Sequence, residues 1–403
     1  MTASDQRNIV IIGGGIIGCT TAYYLSRHPK YSTENTSITV LEASSIAGGA
    51  SGKAGGLVAK WAYPKELVKV TFAEHERLAA EHNGAERWGW RYTGCGQWEG
   101  RGEELEGGSK KMDPDRSLQK KEGLIDGDSE APLSGSTKGL PRDLDWVKSN
   151  LTDSYAPMAR HGETAQVHPY LFTTSMIELA QEKGVKVVYG KATSIGYSSD
   201  GAVESVTYIQ DSESHTISAT DVIVSAGPWT STVLPQVPIS GTRAHSITIR
   251  PSRPVSAYAL FTEIQLPDSA QAVTPEIYAR PNNEVYACSP GDGKPMPEST
   301  KLVEVDEKVC EALFAQVASI SDELRKGEVT VKQACYLPNV NSGPQGHPII
   351  GSVRGSKGLV IAAGHTCWGI CNAPGTAKAV SELVMDGKIT CGKLDKLAPH
   401  NFF

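Results

Sequence analysis

Residues 8–18 limit the fold of this chain more than any other stretch. Residues 8–12 form a short apolar run suited to a buried parallel strand. The run leads directly into Gly13, Gly15 and Gly18, the spacing of a dinucleotide-binding turn. The first glycine permits the tight turn, the second lets backbone approach a pyrophosphate, and the third lets helix and strand pack closely. Residues 16–27 read as a helix, with Ile16 and Ile17 in a first turn that faces the phosphates. About one βαβ unit later, residues 38–42 read as a second strand. Glu42 ends it at the distance where an acid takes a ribose hydroxyl pair. A lone glycine fingerprint is weak; strand, glycines, helix, second strand and acid in that order form a dinucleotide site.

A second loop narrows the choice of cofactor. Residues 43–57 carry Ala43, Ser44, Gly49, Ala50, Ser51, Lys53, Ala54, Gly55, Gly56 and Leu57. Small residues here leave backbone amides open, as an anion-binding nest requires. A flexible linker is the alternative, but a linker rarely follows the ribose acid at once and then enters an apolar strand. Two phosphate-handling loops suit a long, extended cofactor such as FAD, whereas NAD usually needs only the first.

Four blocks in order give a wider resemblance. They are residues 9–56, residues 167–172 (Val-His-Pro-Tyr-Leu-Phe) leading to a helix and strand, residues 221–229 (Asp-Val-Ile-Val-Ser-Ala-Gly-Pro-Trp), and residues 346–370 with Gly-His-Pro-Ile-Ile-Gly and Ala-Ala-Gly-His. In these the chain resembles the FAD-dependent amine and amino-acid oxidoreductases: D-amino-acid oxidase, glycine oxidase and sarcosine oxidase. Residues 51–56 and 140–146 are most similar to fungal oxidoreductases linked to late-endosome-to-Golgi traffic.

The resemblance implies an α/β (overall α+β) architecture. A discontinuous Rossmann-like FAD-binding domain of glutathione-reductase type would comprise residues 1–85, 166–238 and 335–403. An antiparallel-sheet substrate domain would comprise residues 86–165 and 239–334. It implies hydride transfer from a substrate carbon to flavin N5, giving an imine, with oxygen as acceptor and peroxide as product. A dehydrogenase with another acceptor, or an FAD-binding protein with an interaction or traffic role, are the alternatives. Ala192, Ala226, Gly227 and Trp229 are expected at the cofactor. Gly364, His365, Trp368, Gly369 and Ile370 are expected beside the flavin ring, with backbone donors and a helix N-terminus meeting charge on the reduced ring. His365 and Trp368 would wall that ring.

The family's carboxylate-binding arginine would fall at Leu337, so a clamp of that kind is missing. Lys60 and Arg280 are the substitute candidates; lysine would act only as a point charge. Cys335 stands where sarcosine-oxidase-like enzymes attach the flavin 8α-methyl, and a covalent link is expected there by resemblance.

Composition limits the remaining classes. A chain of 403 residues can bury a sizeable core and hold two interlocked domains. A formal charge of −6 argues against a nucleic-acid surface. No apolar run reaches the roughly 18 residues of a membrane span. The first strand begins too early to leave room for a signal peptide. Eight scattered cysteines and ten dispersed histidines suggest neither a disulfide framework nor a metal site, so reduced thiols and a cytoplasmic location are expected. The resemblance implies a small amine or amino acid as the partner.

Periodicity places helices at 64–85, 170–183, 302–326 and 374–386. It places strands at 185–189, 221–225, 240–250 and 359–363, with further alternation near 277–286. Residues 96–141 are dense in Gly, Ser, Lys, Glu and Asp and read as a polar, partly disordered surface insertion.

Overall fold

The computed structural model describes residues 6–105, 139–267 and 269–403. The expected strands at 8–12 and 38–42 form as Arg7–Ile12 and Thr36–Glu42, joined by the helix Ile16–Ser26. They lie side by side in a six-stranded sheet. Its order is Ile349–Ser352, Leu359–Ala363, Asp221–Val224, Arg7–Ile12, Thr36–Glu42, Lys186–Tyr189. Only the edge strand Ile349–Ser352 runs antiparallel to its neighbour; every other pairing is parallel. The inner strands are covered on both faces, which is why they read as unbroken apolar runs rather than alternating ones.

One face of this sheet packs against Ile16–Ser26, which in turn meets Pro169–Gln181 and Gly369–Asp386. The other face is covered by a meander of Lys191–Tyr197, Val203–Gln210 and Glu213–Ser218. Val203 and Val206 of that meander share a core with Val10, Val222 and Ile361. The sequence reading did not find this meander, because its half-exposed strands are rich in Ser, Thr and Gly.

A seven-stranded sheet follows the order Glu328–Val340, Ile239–Arg250, Glu284–Cys288, Glu276–Arg280, Tyr258–Gln265, Gly94–Arg101, Thr152–Pro157. Its pairings are antiparallel except that Gly94–Arg101 runs parallel to Tyr258–Gln265. Glu307–Ala318 buries Cys310, Leu313 and Val317 against Ile247 and Val285 of this sheet.

Several expected limits move. The helix expected at 302–326 is broken into Glu307–Ala318 and Asp322–Arg325. Ser319 Oγ donates to the Gln316 carbonyl, and Ser321 Oγ caps the second helix by accepting from Leu324 N at 3.3 Å. Both hydroxyls compete for backbone groups that a continuous helix would use. The expected helix at 64–85 divides into Lys65–Glu81 and Gly84–Trp88 around a left-handed Asn83.

The polar insertion expected from residue 96 begins too early. Residues 96–101 belong to the strand Gly94–Arg101, where Trp98 is fully buried and its Nε1 donates to Thr152 Oγ1 at 2.9 Å. The remaining core of that stretch, residues 106–138, lies outside the described residues. The proposed boundary at residue 335 falls inside the strand Glu328–Val340, and the one at 86 leaves Arg91–Tyr92 in a small sheet with Leu57–Ala59 and Thr164–Gln166. No described helix is long and apolar enough to cross a membrane.

Candidate functional site

The glycine turn after the first strand fits its sequence closely. Gly13 takes φ +111°, and a Cβ there would lie 2.5 Å from the Ser225 carbonyl oxygen. At Gly18 a Cβ would come within 2.0 Å of the Gly13 carbonyl oxygen, so only glycine lets the helix sit this close to the turn. The helix Ile16–Ser26 starts at Gly15 with no side-chain cap. Instead, Ser51 Oγ accepts from Ile16 N at 2.9 Å and ties the second loop to the first.

Glu42 is oriented by the same turn. Its Oε2 accepts from Gly14 N at 2.7 Å, and its Oε1 accepts from Ser44 N at 2.8 Å. The carboxylate is therefore held at the cavity wall, and because Ser44 Oγ and Ser45 N also donate to Oε1, Oε2 is the oxygen with room for a ligand's hydroxyl.

A single long cleft runs from these loops to the seven-stranded sheet. It encloses about 1750 Å³ of space between atoms, its solvent-open mouth included. Of the residues expected at the cofactor, all line it except Gly18, which packs against the turn, and Lys53, whose Nζ donates to the Ala334 carbonyl at 2.9 Å. Ala192 and the Ala226–Trp229 turn form one wall, and Gly364, His365, Trp368, Gly369 and Ile370 form another.

The far wall turns on a tight loop. Gly364 takes φ +85° and Thr366 φ +50°, which a β-branched residue adopts only under constraint. His365 is buried, its Nε2 lies 3.0 Å from Thr376 Oγ1, and burial pushes its pKa down to about 3, so the ring is neutral. Trp368 is also buried, sits edge-on to Trp61 at 5.3 Å, and its Nε1 finds no acceptor among the described residues.

The helix after this loop starts at Gly369, five residues before the expected position, and carries Pro374 inside it. Proline lacks the N–H that would bond the Ile370 carbonyl. His75 supplies the replacement: its Nε2 lies 3.1 Å from Ile370 O and 3.0 Å from Cys371 O. Thr71 Oγ1 adds a donor to Cys371 O at 2.6 Å. Burial pushes the His75 pKa down to about 4, so the ring is neutral, and its carbonyl partners place the proton on Nε2. Lys65–Glu81 thus repairs the helix that begins at the cleft.

Two catalytic candidates are not brought to the cleft. Lys60 is exposed, with Nζ 4.7 Å above the Phe72 ring, and does not line the cavity. Arg280 is buried but directed elsewhere. It donates through Nε to Gly55 O at 3.3 Å, through a second nitrogen to Ala54 O, and through the third to Glu284 at 2.8 Å. Its guanidinium fastens the second glycine loop and stacks 4.6 Å from the Tyr286 ring.

Cys335 does line the cavity, and burial pushes its thiol up to about 11, favouring the protonated form. The sequence reading missed the side chains that the seven-stranded sheet presents here, chiefly Glu276, Tyr278, Tyr286 and Cys288. Their alternation was visible, but which face would meet a cofactor was not.

These residues fit FAD. The cleft joins two glycine loops and the N-terminus of the helix Ile16–Ser26 at one end to the start of a second long helix at the other. The uncapped Trp368 N–H suits a ligand that carries ring and carbonyl acceptors.

Comparisons with known proteins agree. The family model described as FAD dependent oxidoreductase matches residues 8–383. The Saccharomyces cerevisiae protein named "Putative oxidoreductase TDA3" is 33% identical, with 100% of this chain and 96% of that protein covered. A Schizosaccharomyces pombe relative of the same description is also 33% identical, with 98% of each covered. Among solved structures, glycine oxidase from Geobacillus kaustophilus superposes with a TM-score of 0.71 at 18% identity, over 98% of this chain and 99% of that one. Iminodiacetate oxidase from Chelativorans sp. BNC1 superposes with a TM-score of 0.71 at 20% identity, over 97% and 98%. Those two likenesses show the same mixed α/β architecture. With the match spanning most of its length, the chain belongs to the FAD-dependent oxidoreductase family.

Proposed function

We propose that the cleft binds FAD along its length and that the protein oxidises the C–N bond of a small amine. The observation that carries this reading is the continuity of the cleft from the Gly13–Gly18 turn to the Gly364–Ile370 loop, with polar groups waiting at both ends. When bound, FAD supplies a hydride acceptor for the C–H bond next to nitrogen, and the amine leaves as an imine.

The chain's own groups do the rest. Glu42 would hold a ribose hydroxyl, and the N–H groups of Gly15 and Ile17 would meet the pyrophosphate, with Ile16 N taken by Ser51 Oγ. Backbone N–H groups at Gly369 and Ile370, at the N-terminus of an 18-residue helix, would hold the ring's carbonyl edge and favour negative charge there. His365, neutral and tied to Thr376, is a wall rather than a proton carrier. Cys335 is the residue for a covalent link to the ring, though its protonated thiol first has to be activated.

Purified protein should be yellow, and anaerobic addition of a substrate amine should bleach the band near 450 nm, an approximate flavin value. Peroxide on re-admission of air identifies an oxidase; bleaching without peroxide identifies a dehydrogenase. Colourless protein that refuses FAD on reconstitution rejects the reading. Acid precipitation decides the link: colour in the pellet means attachment, and colour in the supernatant rules it out.

A further inference from the structure

We infer that residues 292–304 form an arch that gates the nucleotide end of the cleft, its feet fixed on Arg243 while its crown, residues 295–300, lifts to let the cofactor in or out. This inference rests on the flavin reading above and adds how that site opens.

The arch leaves the seven-stranded sheet after Glu284–Cys288 and ends at the helix Glu307–Ala318. In between it crosses to the glycine loops of the six-stranded sheet, where Glu298, Ser299 and Thr300 line the cleft together with Ser44 and Gly49. Thr300 Oγ1 lies 2.5 Å from Ser44 Oγ. The Ser44 proton is already donated to Glu42 Oε1 at 3.0 Å, so Thr300 is the donor. The crown thus rests on a residue that orients the ribose acid.

Both feet meet one buried guanidinium. Arg243 is 5% exposed and holds the Asp292 carboxylate through Nε and a terminal nitrogen, at 3.0 and 2.6 Å. Its other terminal nitrogen donates to the Glu304 carbonyl at 3.1 Å. Main chain reinforces the feet: Asp292 N donates to Arg243 O at 2.7 Å, and Asp306 N donates to His245 Nε2 at 3.0 Å. Forked, charge-assisted contacts of this kind are the strong ones.

The crown is held more lightly. Residues 293–299 enter neither helix nor strand, and Pro295 and Pro297 bring no N–H for a ladder. Single hydrogen bonds tie it down: Tyr336 Oη donates to Pro295 O at 2.7 Å, and Trp229 Nε1 donates to Pro297 O at 2.8 Å. Glu298 and Lys191 approach at 3.7 Å with both side chains at least half exposed, a pair worth little. Single neutral bonds open far more readily than the forked contact at the feet.

The distinction is kinetic. A gate that opens more often speeds entry and exit alike and leaves Kd nearly unchanged. A lost contact to the ligand speeds exit alone.

Tyr336 tests this, because its hydroxyl touches the crown and its side chain does not line the cleft. Cys335→Ser protein, from which flavin is free to leave, is compared with the same protein carrying Tyr336→Phe. Stopped-flow mixing gives the rate of FAD entry into apoprotein, and dilution of the loaded protein gives the rate of release. Both rates should rise about fivefold, the shift expected for one neutral hydrogen bond, with Kd kept within about twofold.

Faster release with unchanged entry overturns the inference, because it marks a lost contact and no gate. So do two unchanged rates. A second measurement needs no flavin. Thr300→Cys puts a thiol on the inner side of the crown, and its blocking by a maleimide is followed at that residue by mass spectrometry. Tyr336→Phe should speed the blocking by about fivefold as well, and an unchanged rate overturns the inference. Protein that takes up no FAD rejects the flavin reading, and the maleimide rates still decide whether the crown lifts.

Discussion

The two ends of the cleft are made differently. The end near Gly13–Gly18 is built mostly from backbone: glycines that permit close approach, a helix start and one carboxylate fixed by main-chain donors. The end near Glu276 is built from side chains of separate strands, whose identities set the chemistry. A backbone site recognises what all relatives share, whereas a side-chain site is where one protein differs from another. On this division the cofactor end fails by steric collision, and the substrate end fails by loss of shape.

The largest expected effect strikes the backbone end. Gly18→Val places a branched side chain against the Gly13 carbonyl, where even a Cβ would be 2.0 Å away. The turn must open, at a cost of about 3 kcal/mol or more. Loss of bound flavin with a large drop in Tm is expected; a variant that stays yellow and equally stable breaks the comparison.

Beneath the other end, His75 should make stability depend on pH. Its folded pKa is about 4 against an ordinary 6.5, so the unfolded chain takes up the proton first as pH falls. Its contribution is full above about pH 6.5 and is lost towards pH 4, by roughly 3 kcal/mol. Urea unfolding at several pH values should show that slope, and His75→Gln, which keeps a donor but cannot titrate, should reduce it, leaving the part that buried His365 contributes. An unchanged slope in the variant removes His75 as its source.

Arg280 joins the two ends, because it reaches from the sheet to the second glycine loop. Arg280→Lys keeps the charge but cannot reach three partners at once. A loss of about 1–3 kcal/mol is expected. It should appear as weaker FAD retention in dialysis with little change in amine turnover by the protein that keeps its flavin. Lost turnover with FAD retention unchanged would show instead that Arg280 acts on substrate.

The smallest effect is expected at Lys60. It is exposed and its contact is with the ring of Phe72, so Lys60→Ala should cost no more than about 1 kcal/mol and leave flavin binding and amine turnover near their starting values. A tenfold loss of kcat/KM would place its ammonium at the substrate.

What the sequence disclosed follows the same division. Gly13, Gly15, Gly18 and Glu42 fall within 30 residues of one another, so their spacing alone conveyed the first strand, helix and acid. The loops at Ala226–Trp229 and Gly364–Ile370 were legible because each follows an apolar strand and opens into a helical turn. Glu276 and Cys288 come together only through strand register, and Cys335 joins them from two strands away, information that no local pattern carries. Arg280 shows the limit most clearly. Alternation places it on the same face as Glu276 and Tyr278, yet its guanidinium ends on a loop 225 positions earlier in the chain. The start at Gly369 was hidden because Pro374 suggests a helix beginning, and only His75 and Thr71, from another helix, make the earlier turn tolerable.

The longest ribbon among the described residues has a mechanical consequence. Glu328–Val340 pairs with Ile239–Arg250 along its length, with one register shift at Thr248/Ile249, and reaches from the seven-stranded sheet to the turns at Gly227–Trp229 and Thr366–Trp368. Clamshell gaping would have to bend both paired strands together. A rod-shaped guest therefore enters by local loop displacement, or is captured while the chain is still condensing, and once seated it departs slowly.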